Sequence, residues 1–185
     1  MNLANSISLA RLCAAPLIMW LILTDELAVA YWLFIVAAVS DAVDGYIAKH
    51  YRSSTMLGAF LDPLADKALL VGVYIALGDF DDVGIGIPLW LVILVVFRDI
   101  LILGGALVFR LVTHTLSMQP LMISKVNTVA QIVLAAVVLG RLGLDFGSPM
   151  VAEVLIYVVA ATTLASGGAY VVGWMRRAAG AETPE

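Results

Sequence analysis

The sequence predicts an all-α integral membrane protein with six transmembrane helices, folded as a single domain over residues 1–185. Two observations predict this class. Hydrophobic residues make up 63% of the chain and charged residues only 13%, and the mean hydropathy is +1.04. Several apolar runs also reach the roughly 18 residues that a membrane-spanning helix needs. No hydrophilic block is long enough to fold as a second domain.

Short polar segments divide the apolar runs and set the predicted spans. These segments lie at residues 24–26, 49–55, 78–87, 112–124 and 140–149. The predicted spans are residues 9–23, 27–48, 56–77, 88–111, 124–139 and 151–174. The short polar side chains of Asn5, Ser6 and Ser8 can cap a helix, so the first helix is predicted to begin near Ser8. Small residues in the last span suit close packing of helices and allow a homodimer.

The basic residues of the short loops predict the orientation in the membrane. Lysine and arginine accumulate on the cytoplasmic side of membrane proteins. They occur at the loops after spans two and four and in the tail, at Lys49, Arg52, Arg110, Lys125, Arg176 and Arg177. The opposite loops hold only Arg141. Both termini are therefore expected in the cytoplasm, with the chain in a bacterial inner (cytoplasmic) membrane.

Four aspartates within or beside the apolar runs are the main candidates for chemistry. A charged side chain at membrane depth costs roughly 2.5–3.5 kcal/mol on insertion scales, so such residues usually face an interior or have a function. Asp41 and Asp44 are three residues apart, and Asp62 and Asp66 are four apart. On helices, each pair shares one face. The polar segment 49–55 lies between the pairs and can turn the chain back, which would bring the two pairs together.

Four carboxylates in one pocket repel one another unless cations neutralise them. Ligand sets made only of oxygen favour hard ions, so the sequence predicts that Asp41, Asp44, Asp62 and Asp66 bind Mg²⁺ or Mn²⁺. The nearby Lys49 can meet a phosphate group as a point charge.

Other charged and polar residues fall inside the later spans. Arg98 needs a partner or an aqueous cavity at that depth, and binding a substrate phosphate or pairing with a carboxylate are both open. Lys67 either balances the acidic cluster or extends its ammonium group to the interface. The fifth span begins with a polar face formed by Lys125, Asn127, Thr128 and Gln131. This face is expected to line the active cavity, and an interfacial helix end explains part of its polarity.

The spacing of eight residues resembles the signature of the CDP-alcohol phosphotransferase family. The matching positions are Asp41, Asp44, Gly45, Ala48, Lys49, Gly58, Asp62 and Asp66. Every interval agrees with the family pattern. Lys49 stands where the family usually has arginine, so the positive charge is kept but the two-pronged guanidinium is lost.

The resemblance implies a fold, an activity and a set of site residues. It implies the CDP-alcohol phosphotransferase fold, transfer of a phosphatidyl group from CDP-diacylglycerol to an alcohol, and release of CMP. By resemblance Asp66 is the catalytic base and also touches a metal, and the other three aspartates are chiefly ligands of two divalent cations. The nucleotide site would be lined by Gly45, Ala48, Lys49 and Gly58. The acceptor's phosphate would be held by Arg98 and Lys125.

The acceptor is predicted from a second resemblance. Residues 98–102 and 123–134 are similar to the corresponding stretches of the CDP-alcohol cardiolipin synthases, which favours phosphatidylglycerol as acceptor and cardiolipin as product. Glycerol 3-phosphate is the alternative, since it also carries a phosphate and a free primary hydroxyl group. The expected partners are therefore two lipid substrates and the bilayer, without nucleic acid. A cation or proton transporter is the alternative from another class, but the sequence shows no inverted repeats to support it.

Overall fold

The computed structural model describes residues 3–51, 58–78, 80, 86–113 and 122–181. Side chains are described for residues 10–40, 67–78, 80, 86–105 and 122–175. Within these ranges the chain forms six α-helices and no strand, which confirms the predicted all-α class. The helices are α1 (Leu3–Leu23), α2 (Leu27–Tyr51), α3 (Gly58–Gly78), α4 (Leu89–Thr113), α5 (Met122–Leu144) and α6 (Pro149–Ala181).

The start of the first helix differs from the prediction. Because α1 begins at Leu3, the residues Asn5, Ser6 and Ser8 lie inside the helix and do not precede it. The predicted start near Ser8 was therefore wrong. Leucine and alanine at positions 3 and 4 have high helix propensity, and short polar residues mark a first turn as readily as a cap.

Several basic residues assigned to loops belong to helices. The helix α5 continues to Leu144, which places Arg141 in its last turn, where a cation interacts favourably with the helix dipole. The longer α2, α4 and α6 likewise take in Lys49, Arg110, Arg176 and Arg177. These residues still lie near helix ends, so the orientation stays a prediction. Arg52, also used for it, lies outside the described residues.

The turn between α1 and α2 is closed by local hydrogen bonds. The hydroxyl of Thr24 donates to the Trp20 carbonyl over 2.9 Å, and the Glu26 amide donates to the Leu21 carbonyl over 2.9 Å. Asp25 adopts a left-handed conformation with φ of 61°, which aspartate tolerates better than most residues. These contacts end α1 and allow α2 to pack back against it.

The helices pack as a ring in the order α1, α2, α5, α6, α4 and α3, with α3 closing the ring on α1. A further contact between α3 and α5 crosses the interior. The core between the helices includes Ile18, Phe34, Tyr74 and Leu134, all essentially inaccessible to solvent.

One helix crossing depends on a glycine. A Cβ atom added to Gly143 of α5 would lie 2.6 Å from the backbone carbon of Leu27 and 2.7 Å from the nitrogen of Ala28. Because backbone atoms cannot move aside as a side chain can, this approach of α5 to the start of α2 requires glycine.

The distribution of side chains is apolar outside and partly polar inside. Large apolar residues face outward on several helices, for example Trp20, Trp32, Phe97 and Leu164, each at least 60% exposed. The buried residues include Arg98, Asp99, Asn127 and Gln131. By length and composition, two helical segments within the described residues are able to cross a membrane, Met122–Leu144 and Pro149–Met175. Shorter apolar helical segments are Ala10–Leu23, Leu27–Ser40 and Lys67–Gly78.

Candidate active site

The backbone places the four predicted aspartates on two consecutive helices. Asp41 and Asp44 lie in the second half of α2, and Asp62 and Asp66 lie in the first half of α3. Both pairs therefore have the helical spacing that the sequence predicted. Their side chains lie outside the described residues, so the metal site and the role of Asp66 as base stay predictions.

The residues predicted to contact the nucleotide lie on the same two helices. Gly45, Ala48 and Lys49 follow Asp44 along α2, and Gly58 is the first residue of α3. Nothing beyond this backbone position is described for these four residues, and their contact with a nucleotide also stays a prediction.

Lys67, the first described side chain after this region, belongs to a charged cluster with Arg98 and Asp99. Lys67, which directly follows Asp66, donates a hydrogen bond from Nζ to Asp99 Oδ1 over 2.7 Å. The guanidinium of Arg98 donates from Nη1 to the same oxygen, also over 2.7 Å. Arg98 and Asp99 are buried, and the side chain of Lys67 is 24% exposed. One carboxylate thus pairs with two cations on different helices, and the three side chains together keep one positive charge.

Arg98 also ties α4 to α5 and α6. Its Nη2 donates to Ser124 Oγ over 2.6 Å, and its Nε donates to Ser166 Oγ over 3.1 Å. Nη2 donates to Ser166 Oγ as well. Of the two roles predicted for Arg98, the structure shows pairing with a carboxylate. Binding of a substrate phosphate stays a prediction.

Two features of this cluster differ from or extend the sequence prediction. Lys67 was expected to balance the aspartate cluster or reach the interface, but the structure pairs it with Asp99, an acid on another helix. Asp99 itself was not singled out as a functional residue. The sequence did contain a signal for the pairing of Lys67 with Asp99, because oppositely charged residues inside two apolar runs are expected to form an ion pair.

The polar face predicted at the start of α5 divides into two parts. Lys125 is exposed, and the hydroxyl of half-buried Thr128 donates to the Ser124 carbonyl over 3.1 Å. Asn127 and Gln131 are completely buried in the interior. Asn127 and Gln131 thus form a polar part of the interior, whereas Lys125 lies at the surface. The lining of an active cavity stays a prediction.

Hydrogen bonds connect the buried part of this face to α6 and α3. Asn127 Oδ1 accepts from Thr163 Oγ1 over 3.0 Å. Thr162 Oγ1 lies 2.8 Å from both Asn127 Oδ1 and the Val158 carbonyl and has one proton to donate to either. The hydroxyl of Tyr74 donates to the backbone carbonyl of Gln131 over 3.1 Å. The polar interior therefore continues along α5 from the contact between Arg98 and Ser124 toward the C-terminal end of the helix.

An apolar exterior around a core with buried charges and amides is typical of helical membrane proteins. The model of the CDP-alcohol phosphatidyltransferase family matches residues 1–165, and the chain belongs to this family. The resemblance carried by the eight motif positions is thereby confirmed.

Relatives within this family carry two different names. The chain is 35% identical to the chloroplastic CDP-diacylglycerol–glycerol-3-phosphate 3-phosphatidyltransferase 1 of Oryza sativa subsp. japonica, over 92% of this chain and 56% of that protein. It is 31% identical to the cardiolipin synthase (CMP-forming) of Rattus norvegicus, over 91% of this chain and 60% of that protein. It is 33% identical to the CDP-diacylglycerol–glycerol-3-phosphate 3-phosphatidyltransferase of Bacillus subtilis (strain 168), over 91% of this chain and 93% of that protein.

The chain thus spans little more than half of the rice and rat relatives and nearly the whole of the bacterial one. Two of the names are those of a glycerol-3-phosphate 3-phosphatidyltransferase, and the third is that of a CMP-forming cardiolipin synthase. Membership of this family gives no support to the transporter alternative.

Proposed function

We propose that the chain transfers the phosphatidyl group of CDP-diacylglycerol to phosphatidylglycerol, giving cardiolipin and CMP. The observation that carries the proposed reaction type is the eight-position motif, together with its placement on the consecutive helices α2 and α3. The choice of acceptor rests on the likeness of residues 98–102 and 123–134 to cardiolipin synthases. The relative from Rattus norvegicus, which bears that name, supports it.

The proposal includes a bilayer crossed by all six helices. The shortest helices, α1 and α3, have 21 residues, or about 32 Å at 1.5 Å per residue. This matches a hydrocarbon core of about 30 Å. The outward-facing tryptophan, phenylalanine and leucine side chains would contact lipid. The aspartate pairs lie toward the C-terminal end of α2 and the N-terminal end of α3, which would face the cytoplasm, where CMP can leave in water.

Asp41, Asp44, Asp62 and Asp66 would hold two divalent cations, Mg²⁺ or Mn²⁺. A set of four carboxylates fits such ions, because hard cations prefer oxygen ligands. When bound, the cations would offset the negative charge of the diphosphate and of the departing CMP. Lys49 would add a positive charge beside the nucleotide phosphates, and Gly45, Ala48 and Gly58 would leave room for it.

Asp66 would act as general base. It would accept the proton of the acceptor hydroxyl as that oxygen forms a bond to the β-phosphorus, the one carrying diacylglycerol. The bond from this phosphorus to the bridging oxygen breaks, and CMP departs with the electron pair. Lys67, which follows Asp66 in the chain and is held by Asp99, would keep a cation near this step.

Arg98 and Lys125 would hold the phosphate of the acceptor. Four hydrogen bonds already join Arg98 to Asp99, Ser124 and Ser166, so its charge is fixed in place more firmly than that of a flexible side chain. Lys125 is exposed beside Ser124 and would supply the second, more mobile cation.

Glycerol 3-phosphate is the second candidate acceptor. The relative from Bacillus subtilis, whose length this chain nearly matches, is named for that acceptor.

The decisive experiment is a competition: purified protein, labelled CDP-diacylglycerol, Mg²⁺ or Mn²⁺, and both acceptors in one reaction. Labelled cardiolipin would support the proposal. Labelled phosphatidylglycerophosphate without cardiolipin would contradict the choice of acceptor and keep the reaction type, and no transfer to either alcohol would contradict both.

A further inference from the structure

The charged cluster that joins α3 to α4 carries an excess of positive charge. Lys67 and Arg98 both pair with Asp99, so two cations share one carboxylate. Among the side chains that the structure describes, no second carboxylate contacts either cation. Arg98 and Asp99 are buried. Because a net charge is costly at membrane depth, the cluster calls for an anion.

Some N–H groups of this cluster remain available to an anion within the described part of the chain. An arginine guanidinium has five N–H donors and a lysine ammonium has three. Arg98 uses Nε and one N–H of Nη2 on Ser166 and the other N–H of Nη2 on Ser124. One N–H of its Nη1 and one of Lys67 Nζ go to Asp99. The open donors therefore lie on Nη1 and Nζ.

These two nitrogens are close enough to hold one anion. Lys67 Nζ and Arg98 Nη1 each lie 2.7 Å from the same oxygen, Oδ1 of Asp99, so they are separated by at most twice that distance. A phosphate can accept from both, because it presents several charged oxygens, and hydrogen bonds between charged groups are strong. The side chain of Lys67 is 24% exposed and that of Arg98 only 4%, so an anion would approach from the side of Lys67.

We propose that Lys67 binds the phosphate of the acceptor alcohol together with Arg98, and that Asp99 holds the ammonium group ready for this contact. This inference rests on the proposed function, which assigns that phosphate to Arg98 and Lys125. Both candidate acceptors carry a phosphate, as a diester in phosphatidylglycerol and as a monoester in glycerol 3-phosphate. Lys67 directly follows Asp66 in the chain. The phosphate would thus be held near the residue that takes the proton of the acceptor hydroxyl.

The same contacts rank Lys67 above Lys125 as a ligand of the phosphate. Lys125 is exposed, and no described residue accepts a hydrogen bond from its ammonium group. A lysine that is free before binding loses rotamer freedom when it is ordered on a ligand, whereas Lys67 is already held by Asp99. Loss of Lys67 should therefore weaken binding of the acceptor more than loss of Lys125.

The test is the KM of each substrate in variants of the full-length protein, with the acceptor that the competition experiment identifies. Lys67→Gln removes the charge but can still donate to Asp99, so it should fold. We expect the KM for the acceptor to rise at least about tenfold and the KM for CDP-diacylglycerol to change less than about twofold. Lys67→Arg keeps the charge and should recover most of the affinity for the acceptor. Lys125→Gln should raise the KM for the acceptor less than Lys67→Gln does.

A second neutral variant and a distant control complete the set. Lys67→Met repeats the loss of charge with another side chain, and thermal unfolding in detergent shows that each variant is folded. Inorganic phosphate, added as a competitor of the acceptor, should inhibit both neutral variants less than the wild type. Arg141→Gln is the control, because it removes one positive charge in the last turn of α5, about 25 Å along the helix from Ser124. Both KM values should stay at the wild-type level in this control.

An unchanged KM for the acceptor in both neutral variants would overturn the inference and leave the proposed function standing. A fall in kcat alone would also overturn it, because Lys67 would then only balance the charge of the aspartates. A rise in the KM for CDP-diacylglycerol alone would overturn it in favour of a contact with the donor. If the wild-type protein transfers to neither alcohol, the proposed function fails and the inference fails with it.

Discussion

The aspartate region on α2 and α3 and the charged cluster around Arg98 are built in different ways. The eight motif residues fall within one stretch, residues 41–66, at fixed spacing. The cluster joins residues far apart in sequence, since Arg98 contacts Ser166 at a separation of 68 residues and Asp99 contacts Lys67 at 32. The aspartate region places the predicted catalytic and metal-binding residues in one short segment. The cluster around Arg98 holds four helices, α3, α4, α5 and α6, in position relative to one another. Substitutions in the first should therefore affect turnover more than folding, and those in the second should affect folding as well.

The largest expected effect tests the aspartate region. Asp41→Asn and Asp62→Asn should each lower activity by several orders of magnitude, because each removes a carboxylate from the cation site, while the protein stays folded. Activity is measured as CMP release, and folding by thermal unfolding in detergent. Asp25→Asn, the same change in the exposed turn after α1, is the matched control and should keep full activity. Full turnover in EDTA, or near-normal activity in both variants, would refute the metal site.

The second prediction separates binding from chemistry at Asp66. Asp66→Asn should reduce turnover by about 100- to 10,000-fold, the usual contribution of a general base. Binding of CDP-diacylglycerol should be affected much less, since proton transfer occurs only during reaction. Lipid binding and turnover are measured separately on the same preparation. A variant that still turns over would place the base at another residue.

The third prediction tests the charged cluster. Asp99→Asn should lower the free energy of unfolding by about 3–5 kcal/mol, because it leaves the buried Arg98 and the partly buried Lys67 without their shared carboxylate. Unfolding is followed in detergent with increasing denaturant. Glu153→Gln on the exposed surface of α6 is the control and should change stability very little. Equal stability of the two variants would mean that the cluster contributes little to the fold.

The smallest effect is expected deeper in the interior. Thr163→Val removes the hydroxyl whose hydrogen bond goes to Asn127 Oδ1 and should lower stability by about 0.6 kcal/mol, the average for hydrogen bonds between membrane helices. Thr162→Val should cost less, because the Thr162 hydroxyl shares its one proton between Asn127 and the Val158 carbonyl. The double variant should lose more than the sum, because Asn127 Oδ1 is then left unsatisfied. Purely additive losses would show that these bonds are independent. The free energy of unfolding of these variants is measured in detergent with increasing denaturant, as for Asp99→Asn.

The sequence by itself determined the helical class, the approximate positions of the six helices and the motif, because these depend on local patterns. Runs of apolar residues and intervals such as Asp41 to Asp44 act over a few residues of one helix. The errors came where local signals are ambiguous. Polar residues at positions 5–8 fit a first turn as well as a cap, and Arg141 fits a helix end as well as a loop.

Only the tertiary structure decided which buried polar groups meet. The pairing of Lys67 with Asp99, the contact of Arg98 with Ser124 and Ser166, and the unpartnered amide of Gln131 depend on how α3, α4, α5 and α6 are rotated and packed. The sequence identified polar residues inside apolar runs but left their partners open. The reason is physical: in a helix bundle, the choice of partner is made between helices, by packing along their whole length, and no short interval in the chain records it.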